Sequence, residues 1–275
     1  MMLRLRVISA IVMLAVVASV LFVLPDVAFT IFVVIVAAVG AWEWANLSFF
    51  STQRQRLGYA AIVAVAALLF VHLPGQTYVV RLAASASLLF WAFVLYQLVT
   101  APVRQRQADE HQHDTLVLIS GGFVLVTTAV ALNALRFHVT GHSIALLLYV
   151  LSLVWVMDIG AYFAGKRFGK NKLAPLISPG KTREGVVGGL CAALMLLCLA
   201  LVLSQTFRQH LMLFLLASVL AALISVVGDL YESRLKRARG IKDSSRIIPG
   251  HGGVLDRIDG VVAAVPVFLG IWIWA

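Results

Sequence analysis

The chain has little charge. Only 12% of its 275 residues are Asp, Glu, Lys or Arg, against about 25% in ordinary globular proteins, while 61% are hydrophobic. That leaves too little polar surface to coat a particle in water, so a soluble globule and a disordered chain are both excluded. Mean hydropathy of +0.97 places most of the exterior against lipid. Cysteine is nearly absent. Cys191 and Cys198 lie seven apart in one apolar run, so they share a helix face, cannot bridge each other and lack metal-ligand spacing. No internal repeat is present, which excludes a solenoid. Acid is scarcer than base, 12 residues against 22, and the net charge is +10. In a membrane protein the position of that excess matters more than its size.

What the chain does have is long apolar runs, at roughly 5–24, 27–48, 57–73, 79–100, 115–137, 142–165, 184–203, 211–230 and 254–274. Each is long enough to cross about 30 Å of hydrocarbon as a helix. The expected fold is therefore an all-α polytopic membrane helical bundle of about nine transmembrane helices. Five lie in residues 1–140 and four in 141–275, the latter with long polar loops at 166–183 and 231–253. Arg4 and Arg6 precede the first run, which lacks a clean small-residue cleavage site and is expected to be a retained signal anchor. With the N-terminus cytoplasmic, nineteen of the 22 Lys and Arg fall on one side, leaving Arg81, Arg136 and Arg208 on the other. A further polar stretch, 101–114, carries Asp109, Glu110, His111, His113 and Asp114. It could hold a metal, but nothing fixes its geometry and a solvated loop is the preferred account.

An unpaired charge inside the hydrocarbon costs about 2.5–3.5 kcal/mol even on lenient scales, so embedded carboxylates stand out. They are Glu43, Asp158, Asp229, Asp256 and Asp259, all toward the cytoplasmic ends of their runs. Convergence there, beneath two basic loops, describes a site for a metal and a polyphosphate; helix-end solvation is the alternative, most open for Glu43. Asp229, Glu232, Ser233, Lys236 and Arg237 follow i, i+3, i+4, i+7 and i+8, so one polar helix face continues out of the bilayer. Asp256 and Asp259 repeat the i, i+3 spacing. Hard oxygen ligands of this kind suit Mg²⁺. Between the two helical ends runs Lys242 to Gly253, where Gly252 and Gly253 let backbone amides approach an anion and His251 can donate to one. Ser178-Pro-Gly-Lys181-Thr-Arg183-Glu184 contains Gly-Lys-Thr but lacks the earlier glycine and preceding parallel strand of a P-loop. Phosphate contact by Lys181 and Arg183 competes there with topological anchoring. Asp158, Tyr162, Gly165 and Gly169 keep helical spacing, so Asp158 can face the bundle while the glycines admit close helix contact.

Together, Ser233-x-x-Lys236-Arg237, four residues, Lys242-Asp243, and then Pro249-x-His251-Gly252-Gly253-x-x-Asp256-Arg257-x-Asp259 resemble the signature of CDP-diacylglycerol synthases, the phosphatidate cytidylyltransferases, without departure. Segments 158–169 and 178–185 resemble the same family, whereas the first 150 residues add only general hydropathy. The resemblance implies Mg²⁺-dependent transfer of CMP from CTP to phosphatidate, at a site facing the cytoplasm in a multi-pass inner-membrane protein. It implies Asp229 and Asp256 as metal ligands, for Mg²⁺ alone or with a second cation. The expected catalytic set is Asp229, Lys236, Arg237, Lys242, Asp243, His251, Asp256, Arg257 and Asp259. Substrate contacts are expected from Asp158, Ser178, Lys181, Arg183, Glu184, Glu232, Ser233, Gly252 and Gly253. A homodimer is implied as well, and no nucleic-acid partner is expected. The competing activities are a CTP-dependent polyprenol or dolichol kinase, which shares part of the signature, and a transporter. A transporter would place its carboxylates near the midplane in paired repeats.

Overall fold

The structure, a computed structural model, describes residues 2–100, 114–138 and 143–275. The His and acid cluster at 109–113 lies outside the described residues. Helices run as α1 (Met2–Phe22), α2 (Asp26–Leu47), α3 (Gln53–His72), α4 (Gln76–Thr100), α5 (Thr115–Phe137) and α6 (Ser143–Phe168). After a hairpin of β1 (Lys172–Ala174) and β2 (Ser178–Thr182) come α7 (Arg183–Leu203), α8 (Gln205–Gln209), α9 (Leu211–Ala238), α10 (Leu255–Ile258) and α11 (Val261–Trp272). Short polar residues set the starts. Thr52 and Gln55 form a reciprocal capping box on α3, and Thr182 Oγ1 accepts the Gly185 N–H at 3.1 Å to open α7. Asp114, the last residue of the expected metal-capable stretch, accepts the Val117 N–H at 3.2 Å and so caps α5.

Among the described residues, seven helices (α2 to α7 and α9) are long and apolar enough to cross a membrane. This is a multi-pass helical bundle. The loop expected at 166–183 is not wholly irregular, because Lys172 pairs with Thr182 and Ala174 with Ser178 in antiparallel register. The last apolar run also differs from a lipid-facing span. All twelve residues of α11 are buried, against α4 and α5 from the first half of the chain and α6 and α9 from the second. Asp259 and Gly260 keep helical backbone angles between α10 and α11, so Leu255 to Trp272 forms one rod of about 27 Å enclosed by protein.

Alternating helices leave the polar side chains at the two ends of the bundle unlike. One end holds the hairpin, the loop after α9 and the carboxylates discussed below. At the other, Arg136 pairs with Asp26 at 2.9 Å and Arg81 lies 4.8 Å from the Trp274 ring centroid. α6 and α7 pack most intimately, through small residues. A Cβ on Gly189 would sit 2.5 Å from the Met157 carbonyl oxygen, and one on Gly160 would sit 2.7 Å from Ala192 Cβ. The closeness foreseen for Gly165 is present, since its Cβ position lies 3.0 Å from Thr182 Oγ1. Backbone cannot yield as a flexible side chain can. Gly189→Val is therefore expected to destabilise the bundle by about 3 kcal/mol or more, seen as a lowered thermal midpoint in detergent; an unchanged midpoint would contradict this packing.

Candidate active site

α9 is the spine of the site. Its polar face runs unbroken to Ala238, and Gly240, with φ of +75°, ends it: Ile241 N–H bonds Lys236 O and Gly240 N–H bonds Arg237 O, each at 3.0 Å. One turn inside that end, Lys236 is buried between two acids. Its Nζ lies 2.8 Å from Glu232 Oε2 and 2.6 Å from Asp256 Oδ1. The i, i+4 spacing supplies the first contact; the second joins α9 to α10. Two turns deeper, Asp229 accepts from Ser233 Oγ at 3.1 Å and pairs with Lys181 of β2 at 2.6 Å. The hairpin thus delivers Lys181 to α9, and Arg237 holds the hairpin in place by donating to Ile177 O at 3.3 Å and to Ile241 O at 3.2 Å.

Asp256 orders the loop that precedes it. Its Oδ2 accepts from Gly253 N–H at 2.8 Å and from the Ser244 N–H and hydroxyl, both at 2.9 Å. Gly252 turns the chain with φ of +85°, and Ile248 N–H donates to Gly252 O at 2.8 Å. A second carboxylate reaches the same loop from α2. Glu43 is fully buried, and its oxygens accept from Ser244 Oγ (3.1 Å), Ser245 Oγ (2.6 Å), Val254 N–H (3.0 Å) and Leu255 N–H (2.6 Å). His251 Nδ1 bonds Ser9 Oγ of α1 at 2.7 Å, which puts the N-terminal end of α1 at the same end of the bundle as the site.

The remaining expected residues divide by position. Asp158 lies close enough to Lys181, Asp229 and Arg257 to feel their charges, and Asp259 is close to Asp229, Glu232 and Lys236. Glu184 faces the turn after α6, accepting from the Lys170 and Asn171 backbone N–H groups and from Asn171 Nδ2 at 2.7–3.2 Å. Arg183, Lys242, Asp243 and Arg257 are exposed, and Ser178 begins β2 at intermediate exposure. Sequence patterning left the role of Glu43 open and gave no sign of Ser244 or of the Ile177 carbonyl. A buried acid near the end of an apolar helix was the one available signal.

The charge balance bears on metal binding. Five acids, Asp158, Asp229, Glu232, Asp256 and Asp259, face three cations, Lys181, Lys236 and Arg257, a formal deficit of two. Glu232 Oε1 is buried with no hydrogen-bond partner, an arrangement that costs about 1–3 kcal/mol unless a proton or cation meets it. A divalent ion fits both the charge and the donor chemistry. Yet among the described residues no three His, Cys, Asp or Glu side chains are gathered as a ready-made cage. Three of the four contacts of Asp256 crowd Oδ2, so an ion would meet it at Oδ1, where Lys236 alone is bound.

Comparison with known proteins agrees with this geometry. Residues 4–273 match the Cytidylyltransferase family. The chain is 41% identical to the phosphatidate cytidylyltransferase of Pseudomonas aeruginosa, over all of this chain and 98% of that protein. It is 37% identical to the phosphatidate cytidylyltransferase of Haemophilus influenzae, over 97% of each. A Staphylococcus haemolyticus phosphatidate cytidylyltransferase is 39% identical over 54% of this chain and 57% of its own length. With the family match spanning nearly the whole chain and a charged site built on the signature itself, this protein belongs to the cytidylyltransferase family.

Proposed function

We propose that this enzyme transfers CMP from CTP to phosphatidate, giving CDP-diacylglycerol and pyrophosphate. The observation that carries the proposal is the cluster of five acids and three cations where α6, α9, α10 and the β2 strand meet at one end of a membrane bundle. A phosphatidate oxygen attacks the α-phosphorus of CTP, the bond to the bridging oxygen breaks, and pyrophosphate leaves with the electron pair. Little covalent chemistry falls to the protein; its task is to align two anions and offset their repulsion. Arg257, Lys242 and Arg183, all exposed, receive the triphosphate and the lipid phosphate. Lys236 turns from Asp256 toward an arriving phosphate, which frees Asp256 Oδ1. An ionised phosphate nucleophile needs no general base, so His251 serves as an anion donor on a loop tied to α1.

Mg²⁺ belongs to the same proposal. Asp229 and Asp256 would hold it, with the bare Glu232 Oε1 and Asp259 beside them, and it would supply positive charge for the leaving pyrophosphate. The membrane is proposed to be the inner one with the site toward the cytoplasm, because CTP arrives there and the positive-inside count read from the sequence assigns most Lys and Arg to that side. A homodimer is proposed on the family resemblance.

Labelled CTP tests the reaction. Label in the α-phosphate is expected to enter the lipid product of purified protein supplied with phosphatidate. Lipid labelling from the γ-phosphate, with a polyprenol as acceptor, would replace this proposal with the kinase.

A further inference from the structure

The signature lies in the second half of the chain, yet one side chain from α2 sits in the middle of the signature loop. Glu43 is fully buried on α2 and receives four hydrogen bonds, all from residues 244–255. Two come from serine hydroxyls at the start of the segment and two from backbone N–H groups at its end. One carboxylate therefore ties together both ends of the turn that contains His251, Gly252 and Gly253, and it fixes the first residues of the helix that carries Asp256 and Arg257. Ser244 links the two acids directly, since its hydroxyl lies 3.1 Å from Glu43 Oε2 and 2.9 Å from Asp256 Oδ2. Its single proton is shared between them.

The surroundings hold Glu43 rigid. The next residue, Trp44, is buried and donates Nε1–H to Val117 O of α5 at 2.8 Å. Its ring lies where a Cβ on Gly121 would be, so α2 cannot rotate about its axis without a clash. The carboxylate also explains a signature glycine: a Cβ on Gly253 would collide with Glu43 Oε1 and Ser244 Oγ. From the opposite side of the loop, Asp256 Oδ2 accepts the Gly253 N–H. The segment is thus gripped between an acid of the N-terminal half and an acid of the site.

We propose that Glu43 is a positioning residue for CMP transfer, holding Asp256 and Arg257 in register with the acids and lysines of α9 and β2 without itself touching either substrate. This rests on the cytidylyltransferase reading for its kinetic part but not for its structural part. Misplacing a reacting group by about 1 Å can cost on the order of 10²-fold in rate, and that is the effect expected of losing the clamp. Glu43→Gln keeps the shape of the side chain, but whichever oxygen becomes NH2 then faces a backbone N–H, of Val254 or Leu255, that cannot accept from it.

The experiment pairs turnover with hydrogen exchange on detergent-purified full-length protein. For Glu43→Gln, kcat is expected to fall about 10²-fold with the phosphatidate KM within about threefold, and the Val254 and Leu255 amides are expected to exchange faster while amides in α11 do not. Unchanged kcat alongside loosened amides would overturn the positioning role; unchanged amides would overturn the clamp. If the wild type itself transfers no CMP, the activity assignment fails, and the amide measurement still decides the clamp. Should Glu43→Gln not fold, Ser245→Ala removes one of the four bonds at a partly buried position. It is expected to lower kcat several-fold, and full turnover in that variant would sink the proposal.

Discussion

Asp256→Ala is expected to lose CMP transfer entirely and to be recovered in much lower folded yield. Both outcomes follow from its four contacts. Removing the carboxylate leaves the buried Lys236 ammonium with only Glu232, and it strips the Ser244 and Gly253 N–H groups of their acceptor. Deleting one partner of a buried ion pair costs about 3–5 kcal/mol, and each orphaned buried donor adds about 1–3 kcal/mol. Against a total stability of about 5–15 kcal/mol, a loss of that size empties much of the folded population. Thermal unfolding in detergent, run beside the labelled-CTP assay, checks the two losses together. A variant that transfers CMP at the wild-type rate would remove Asp256 from the site, whatever its stability.

For Asp229→Ala, activity is expected to fall about 10²–10³-fold, as when a charge-stabilising group is lost from a catalytic site, while the fold survives. The distinction lies in burial. The Asp229 and Lys181 side chains are 28% and 23% exposed, so water screens their pair and its loss is worth about 1 kcal/mol or less. Asp229 nonetheless stands where three other acids and Lys181 converge, at the place proposed for Mg²⁺. Turnover and melting temperature measured on one preparation separate the roles. A large fall in melting temperature would make Asp229 a structural residue, and wild-type turnover would exclude it from the chemistry.

The contrast between these two aspartates was not legible in the sequence, although both were. Regular spacing revealed the polar face of α9, because a 3.6-residue period is a local property that survives in a single chain. It also placed Asp256 and Asp259 at the start of the following helix. Which acids are buried, and by what, depends on partners far away: Glu43 meets Ser244 across 201 positions, and no period connects them. Arg237 looked like a phosphate contact from its place in the signature, and its observed bonds to Ile177 O and Ile241 O depend on a hairpin whose Ser-Pro-Gly-Lys-Thr strand has weak strand propensity. The last apolar run was legible as a helix but not as a central one. A helix hydrophobic all round reads alike whether lipid or protein surrounds it, so only packing reveals that α11 is the centre of the bundle.

The length of α9 has a consequence for the lipid substrate. Its 28 residues span about 42 Å, some 12 Å more than the hydrocarbon they cross, and Asp229 lies about 27 Å along the rod from Leu211. A continuous helix of that length acts as a depth gauge, setting the height of the acids relative to the far side of the bilayer. A lipid floats its phosphate at a height fixed by the same bilayer.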